Sequence, residues 1–185
     1  DRLITDISDS SRLDAELARS HWEELDLRSL AADVIALQEQ VEDTLVAFVL
    51  EPKEAPRVGF AVLGAKTRLG QVLVNLITNA QSFSPDGGII RVSLTREKGW
   101  ITLVVEDQGP GIPEDRLTKI FSRFYTDRPE QDSFGRYSGL GLSISQQIID
   151  AHGGVIRAEN AELDGKVTGA RLVVRLPEMP ADFRL

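Results

Sequence analysis

The sequence predicts an α+β fold: a two-layer sandwich in which one mixed, mostly antiparallel sheet carries helices packed on one face. Two observations point there. The stretch 66–85, KTRLGQVLVNLITNAQSFSP, repeats apolar residues at the helical period. The second half of the chain alternates β-rich runs with turn chemistry, as at 89–105 and 155–176.

Residues 1–19 place Leu3, Ile7, Ser10, Leu13 or Asp14, and Leu17 near a heptad-like spacing, an amphipathic helix too short to stand unless it packs on something. Residues 20–26 are read as a linker, with a short strand over 25–27. Asp26 is suited to cap a helix over 27–42 whose inward residues are Leu30, Ala31, Val34, Ile35, Leu37 and Val41. Strands are expected over 45–50 and 58–63, flanking a proline-containing turn.

In the 66–85 helix, Leu69, Val72, Leu73, Leu76, Ile77 and Ala80 form the apolar face. Gln71, Asn75 and Asn79 recur four apart on another face, with Ser82 beyond. A solvated face ordinarily carries Lys and Glu; Asn is a poor helix former that favours caps and turns. Two readings of the stripe stand. The amides cap neighbouring loops or bond one another, or they face a ligand; neutral amide oxygens suit Mg²⁺, which takes oxygen ligands while phosphates supply the negative charge.

Ser84-Pro85-Asp86-Gly87-Gly88 ends the helix. Strands over 89–95 and 100–105 meet at a Glu97-Lys98-Gly99 hairpin turn. Pro113 opens a short helix to Phe121, residues 125–138 form a long polar loop, and a helix covers 140–151. Strands over 155–159 and 170–176 follow, and 178–185 form a tail.

The bulk numbers exclude several classes. Within 185 residues, 42% are hydrophobic and 27% charged, ordinary for a globular domain with a sizeable core. The formal net charge of −8 argues against a general nucleic-acid binder. With no cysteine there is no disulfide framework, thiolate metal site or cysteine nucleophile. No apolar run approaches the ~18 residues that cross a bilayer. The first residue is Asp and the opening residues already have helical patterning, so the chain is expected to be a piece of a longer protein.

Three glycine segments follow the amide helix. In Glu106-Asp107-Gln108-Gly109-Pro110-Gly111-Ile112, a strand ends in a carboxylate that is costly to bury unless paired. It is either part of a strand-to-helix turn or an acceptor for a donor such as the exocyclic amine of adenine, with glycines that let a flat ring approach. Ser138-Gly139-Leu140-Gly141-Leu142 opens a helix, where bare N–H groups at the positive end of the dipole favour anions. Residues 165–170 read as a loop. There is no Walker-type phosphate loop, no dinucleotide fingerprint, no protein-kinase catalytic loop, no zinc-protease helix and no serine elbow. His21 and His152 are the two histidines, and His152, at a helix end, suits a cap better than catalysis.

The order of these parts resembles the Bergerat-type ATP-binding domain and, within it, the histidine protein kinases. The matching blocks are Gln71-x-x-x-Asn75-x-x-x-Asn79-Ala80, Asp107-x-Gly109-x-Gly111-Ile112, Ile120-Phe121-Ser122-Arg123-Phe124-Tyr125, Gly139-Leu140-Gly141-Leu142, and Gly169-Ala170 leading to Leu176-Pro177. The resemblance spans about residues 25–177. Arg-Leu-Asp-Ala-Glu-Leu-Ala-Arg and Asn-Ala-x-Ser-Phe-Ser-Pro are similar to the ChvG/ExoS-type sensor kinases of alphaproteobacteria.

The resemblance implies an ATP-binding catalytic domain over 27–177 preceded by the end of a second dimerisation helix over 1–19. It implies ATP and Mg²⁺ as cofactors. Asp107 would bind the adenine amine, Asn79 would ligate Mg²⁺, and Asn75 would sit beside the phosphates. Phe83 would pack on adenine, while Gly109, Gly111 and Ile112 form the adenine loop. Gly139, Leu140, Gly141 and Leu142 would hold phosphates, and Tyr125 would line the nucleotide. Arg123, and Arg128 or Arg136 from the long loop, would meet phosphate. The implied partners are the protein's own phosphoacceptor dimerisation domain, as a homodimer, and a response-regulator receiver domain, with no nucleic acid. The implied setting is the cytoplasmic side of a bacterial inner membrane, with contact to the membrane only through an N-terminal part.

Two departures stand out. The family commonly has Lys three residues after the second Asn, where this chain has Ser82. The block with the phosphoacceptor His has no counterpart here, so the chain is expected to bind ATP–Mg²⁺ without phosphorylating itself. An ATPase of the gyrase or chaperone kind is disfavoured, because those use a Glu to activate water where this chain has Asn75, and an amide is no general base. A purely regulatory or degenerate nucleotide site is the remaining reading, helped by Ser82 alone.

Overall fold

The computed structural model describes residues 20–41, 45–54, 59–123, 125 and 139–179. Residues 1–19, and the loop residues 126–138 that include Arg128 and Arg136, lie outside the described residues.

In chain order the elements are β1 (Glu23–Asp26), α1 (Leu27–Glu39), β2 (Ala47–Glu51), β3 (Ala61–Gly64), α2 (Lys66–Phe83), β4 (Ile89–Glu97), β5 (Trp100–Glu106), α3 (Gly141–Ala151), β6 (Val155–Leu163) and β7 (Lys166–Pro177). Two single 3₁₀ turns, Glu114–Arg116 and Lys119–Phe121, stand where the sequence predicts one short helix. The main sheet is five-stranded, in the order β2-β4-β5-β7-β6. Its β2–β4 pair is parallel. The other three pairs are antiparallel. The α+β sandwich with a mixed, mostly antiparallel sheet is therefore as predicted, with one difference: β3 does not join the sheet but pairs antiparallel with β1 in a separate two-stranded ribbon.

Each helix forms for a reason legible in its residues. Asp26 caps α1, its Oδ1 accepting from the Ser29 N–H at 2.8 Å. Its Oδ2 accepts from the Phe60 N–H at 2.9 Å, so one carboxylate satisfies an orphan helix donor and ties the helix start to the approach to β3. Leu30, Ala31, Val34 and Ile35 are buried as expected. Leu37 and Val41 are exposed: Val41 lies past the end of the helix, and Leu37 sits at the edge of the apolar stripe in its last turn.

In α2 the six predicted residues Leu69, Val72, Leu73, Leu76, Ile77 and Ala80 are all buried, Leu76 and Ile77 completely. They face Ile90, Val92, Ile101, Leu103 and Val105 on the inner side of β4 and β5, together with Ile148 and Ile149 of α3, in one continuous core. Full burial of such a side chain contributes roughly 1.5–3 kcal/mol, so this stripe fixes how α2 lies on the sheet.

The β4–β5 hairpin turns on Lys98 and Gly99, both at positive φ (52° and 79°), the two-residue turn that matches strand twist. Three segments fold more regularly than expected. Glu23–Asp26, read as linker with a short strand over 25–27, is strand β1 throughout, because an extended segment beside β3 has its backbone polar groups satisfied by pairing while Leu25 goes inward; Leu27 already belongs to α1. Both β6 and β7 are longer than predicted and meet in a hairpin at Asp164–Gly165, so 166–170, read as loop, belongs to β7. Finally, the chain leaving β7 joins ribbon to sheet: Glu178 N–H donates to the Gly99 carbonyl (2.8 Å) and Met179 N–H to the Ala61 carbonyl (2.9 Å).

Candidate nucleotide-binding site

The candidate site is built from one end of β5, the length of α2 and the start of α3. Asp107 follows β5 and is buried. Its backbone continues the ladder, Asp107 N–H donating to the Ala170 carbonyl at 3.0 Å. Its Oδ1 accepts from Gly109 N–H (2.8 Å) and Ala170 N–H (3.0 Å). Among the described residues Oδ2 receives no hydrogen bond. Burial pushes the Asp107 carboxyl above the usual carboxylate range; the Ala170 and Gly109 N–H groups pull the other way, and neighbouring Glu106 adds to the rise. Glu106 itself pairs with Arg171. The result is a buried carboxylate half-satisfied by backbone, with one oxygen that no described residue bonds.

Gly169 explains how Asp107 is held so closely. A Cβ at this position would overlap the Asp107 carbonyl oxygen, so β7 can run this near only with glycine there. The same reasoning applies to Gly109 and Gly111. A Cβ on Gly109 would stand 2.6 Å from the Phe83 carbonyl oxygen, and one on Gly111, at φ 78°, would overlap Val167 and stand 2.9 Å from Asn160 Oδ1. Packing within the protein therefore requires glycine at both positions. The close approach also joins the C-terminal end of α2, at the exposed Phe83, to the loop that follows Asp107.

The amide stripe of α2 divides into two kinds of residue. Asn75 is engaged: its Nδ2 donates to the Gly141 carbonyl (3.0 Å) and to Ser145 Oγ (3.2 Å), and Ser145 Oγ–H donates to the same carbonyl (2.8 Å). These bonds fasten the middle of α2 to the first turn of α3. Asn79, one turn on, makes no side-chain hydrogen bond among the described residues and is half-buried. Gln71 accepts from Arg68 Nη1 at 3.2 Å. Ser82 Oγ–H donates to the Asn79 backbone carbonyl at 2.7 Å, an i−3 bond that turns the hydroxyl onto its own helix.

Helix α3 begins at Gly141 with Leu140 as its cap residue and no side-chain cap. The Leu140 carbonyl accepts from Ile144 N–H and Ser143 Oγ–H, both at 2.9 Å. Among the described residues no side chain is shown capping the first-turn N–H groups of α3, and a helix start of this kind favours an anion. Gly139 immediately precedes this turn, and Leu142 packs partly against the core. Arg123 and Tyr125 are half-buried after the second 3₁₀ turn, Tyr125 N–H donating to the Ser122 carbonyl at 3.3 Å.

Two residues were missed by sequence reasoning. Asn160 on β6 bonds both backbone groups of Ile112: its Oδ1 accepts from Ile112 N–H (2.7 Å) and its Nδ2 donates to the Ile112 carbonyl (2.8 Å). A polar residue in an edge strand gives no signal of this beyond its poor strand propensity. Trp22, in a segment read as a break, stacks on His152. His152 has the structural role expected of it: buried, with Nδ1–H donating to the Ile148 carbonyl (2.7 Å) and Nε2 accepting from the Ala65 N–H (3.1 Å) that opens α2.

The structure therefore brings Asp107, Gly109, Gly111, Ile112 and Phe83 into one neighbourhood, and Asn75, Gly141 and Leu140 into another, with Asn79 on the helix between them. The donor set fits the groups the sequence implies. A buried carboxylate with a spare oxygen suits an amine, an unbonded amide oxygen suits a hard cation, and an uncapped helix start suits phosphate.

The chain is similar in sequence and in fold to known proteins. A family profile described as "Histidine kinase-, DNA gyrase B-, and HSP90-like ATPase" matches residues 64–180. The sensor protein ChvG of Rhizobium meliloti is 51% identical over 186 residues, covering 97% of this chain and 32% of that protein. ChvG of Agrobacterium fabrum is 47% identical over 183 residues, covering 96% and 31%. The chain thus spans about a third of the length of these relatives. Among solved structures, a mycobacterial sensor histidine kinase, MprB, superposes with TM-score 0.70 at 28% identity, covering 86% of this chain and 99% of that one. The catalytic domain of histidine kinase ThkA gives 0.71 at 31% identity, covering 86% and 99%.

Proposed function

The chain belongs to the histidine kinase-, DNA gyrase B- and HSP90-like ATPase family, as an ATP-binding catalytic domain of the sensor-histidine-kinase type, and from that premise we propose that it binds ATP with Mg²⁺ and donates the γ-phosphoryl to a histidine on a dimerisation domain. The phosphoryl group then passes to an aspartate of a response regulator. A solved structure of ThkA in complex with the response regulator TrrA supports a partner of that kind.

The observation that carries the reading is Asp107: a buried carboxylate fixed by two backbone donors through one oxygen, with the other left unbonded among the described residues. A carboxylate so placed accepts from the adenine amine. The loop from Gly109 to Ile112 and the exposed ring of Phe83 flank the base. Asn79 is the residue for Mg²⁺, its amide oxygen being uncommitted, whereas Asn75 acts by holding the first turn of α3 where the phosphates bind. Bound Mg²⁺ would neutralise charge on the phosphates, as phosphoryl transfer requires. Everything else is positioning by this chain's own groups, with Arg123 and an arginine of 126–138, such as Arg136, as the cations nearest the phosphates. Ser82 takes the place of the family's usual Lys and can supply no cation, so one phosphate contact is weaker or comes from an arginine of that loop.

Neither histidine serves as acceptor. His152 is buried and bonded at both nitrogens, and His21 precedes β1 on the surface. The intact protein is proposed to be a membrane-anchored homodimer with this domain in the cytoplasm. No described helix is long and apolar enough to cross a membrane.

The test is to mix the chain with a separately produced dimerisation domain bearing the acceptor His, ATP and Mg²⁺. Acid-labile label is expected on the added domain and not on this chain. Absence of ADP and ATP-analogue binding at high micromolar concentration would refute the reading.

A further inference from the structure

Asn160 lies outside every segment assigned to the nucleotide, yet it makes the two-point contact that ends the loop after Asp107. Its Oδ1 and Nδ2 take the N–H and carbonyl of Ile112 at 2.7 and 2.8 Å, as a neighbouring strand would. Asn160 also pairs in register with Ala170 across β6 and β7. The Ala170 carbonyl in turn accepts from the Asp107 N–H, and the Ala170 N–H donates to Asp107 Oδ1. One lateral row of the sheet therefore holds both ends of the six-residue span from Asp107 to Ile112: Ala170 at the start and Asn160 at the finish. Between them, Gly111 at φ 78° leaves no room for a Cβ beside the Asn160 amide. Just past Asn160 the β6–β7 register shifts between Ala161 and Glu162, and Thr168 Oγ–H donates to the Ala161 carbonyl at 3.2 Å. The ladder is regular through the row that carries the anchors and one further pair, Ala161 with Gly169, and breaks after that.

We propose that Asn160 is a positioning residue for recognition of the base: by fixing Ile112 it sets the distance between the Asp107 carboxylate and the loop backbone that receives adenine. This rests on the nucleotide reading given above. Asn160 itself touches neither base nor phosphate. A loop anchored only at Asp107 samples more conformations, and each binding event must then bear the cost of ordering it. Removing the amide should therefore weaken the base end of the ligand, while phosphate contacts at α3 stay as they are.

The experiment compares wild type, Asn160→Ala and Asn160→Asp in the full chain. Titration with ADP and GDP reads affinity and base selectivity, and amide hydrogen exchange at Ile112 in nucleotide-free protein reads the anchor directly. Two lost hydrogen bonds of ordinary worth predict a roughly tenfold weaker ADP affinity for Asn160→Ala, with a smaller ADP-over-GDP preference and faster exchange at Ile112. Asn160→Asp keeps the acceptor for Ile112 N–H and is expected to fall between the two. A general loss of structure would lower the unfolding temperature without changing the ADP-to-GDP ratio, and that result overturns the inference. So does unchanged ADP affinity in Asn160→Ala beside a wild type that binds. A wild type that binds neither nucleotide overturns the functional reading together with it, while the exchange measurement still reports whether Ile112 is anchored.

Discussion

The indole of Trp22 lies against the imidazole of His152, ring centroids 4.5 Å apart and planes inclined by 25°. Through that imidazole the segment before β1 touches both helices of the site. His152 follows the last turn of α3 and accepts from Ala65, the residue that opens α2. The partners dictate the tautomer: the Ile148 carbonyl can only accept and the Ala65 N–H can only donate, so the proton is on Nδ1.

Acid should weaken this junction. Burial holds the His152 pKa below its ordinary value, against the smaller opposing effect of the Ile148 carbonyl. The folded pKa lies below the unfolded one, so the contribution is fully present above about pH 6.5 and is lost as pH falls through the folded value. A protonated Nε2 also cannot accept from Ala65. The expected outcome is a thermal midpoint that drops between pH 6.5 and 5 in wild type and is flatter in His152→Gln, measured by differential scanning calorimetry; parallel curves would refute it.

Asp107 has the opposite sign. Its carboxyl is raised, so folding is favoured below the ordinary carboxylate pKa and that advantage is lost as pH rises through the folded value; at neutral pH the buried charge costs stability. Asp107→Asn keeps an oxygen for the Gly109 and Ala170 N–H groups, removes the charge, and can present a donor in place of the free acceptor. It is expected to unfold at an equal or higher temperature than wild type while losing ADP affinity at least tenfold. Denaturation and calorimetric titration on the same sample check both halves.

Asn75→Ala and Asn79→Ala should separate cleanly. Asn75→Ala removes the bonds between α2 and α3 and is expected to cost about 1–2 kcal/mol, seen as a shifted urea midpoint. Asn79 bonds nothing with its side chain among the described residues, so Asn79→Ala is expected to leave the midpoint within about 0.5 kcal/mol. Its effect should appear as a loss of the Mg²⁺-dependent part of ATP-analogue affinity. Equal midpoints for both variants would contradict the division of labour along the stripe.

Gly169→Ala is the severe case. The added methyl would meet the Asp107 carbonyl, a backbone atom in a paired strand that cannot swing aside. A loss of several kcal/mol or insoluble protein is expected, against a small change for Gly99→Asn at an open turn position where Asn tolerates positive φ. Thermal scans of the two proteins decide it.

How far the sequence could be read follows from the range of the interactions. The α2 stripe was legible because 3.6-residue periodicity is local, and all six of its core residues are buried. The candidate site residues rest on spacing and family resemblance. Asn75 was expected beside the phosphates; that its Nδ2 donates to Gly141 and Ser145, sixty or more positions away, is something no local pattern encodes. Gly169 looked like part of a loop because glycine weakens strands in general; only the approach of Asp107 explains a glycine inside β7. Asn160 and Trp22 act through partners far along the chain, and a lone Asn or Trp announces no such partner.

The bonds from Glu178 and Met179 bear on where this unit can be cut. They reach the β4–β5 turn and β3, so the stretch just past Pro177 is a clasp between ribbon and sheet rather than dangling tail. At the other end, β1 pairs with β3 ahead of the first helix. A minimal, independently folding version should therefore run from before Trp22 to beyond Met179. Trimming to 27–177 would leave β3 with neither of its neighbours, as an exposed ribbon edge open to self-association.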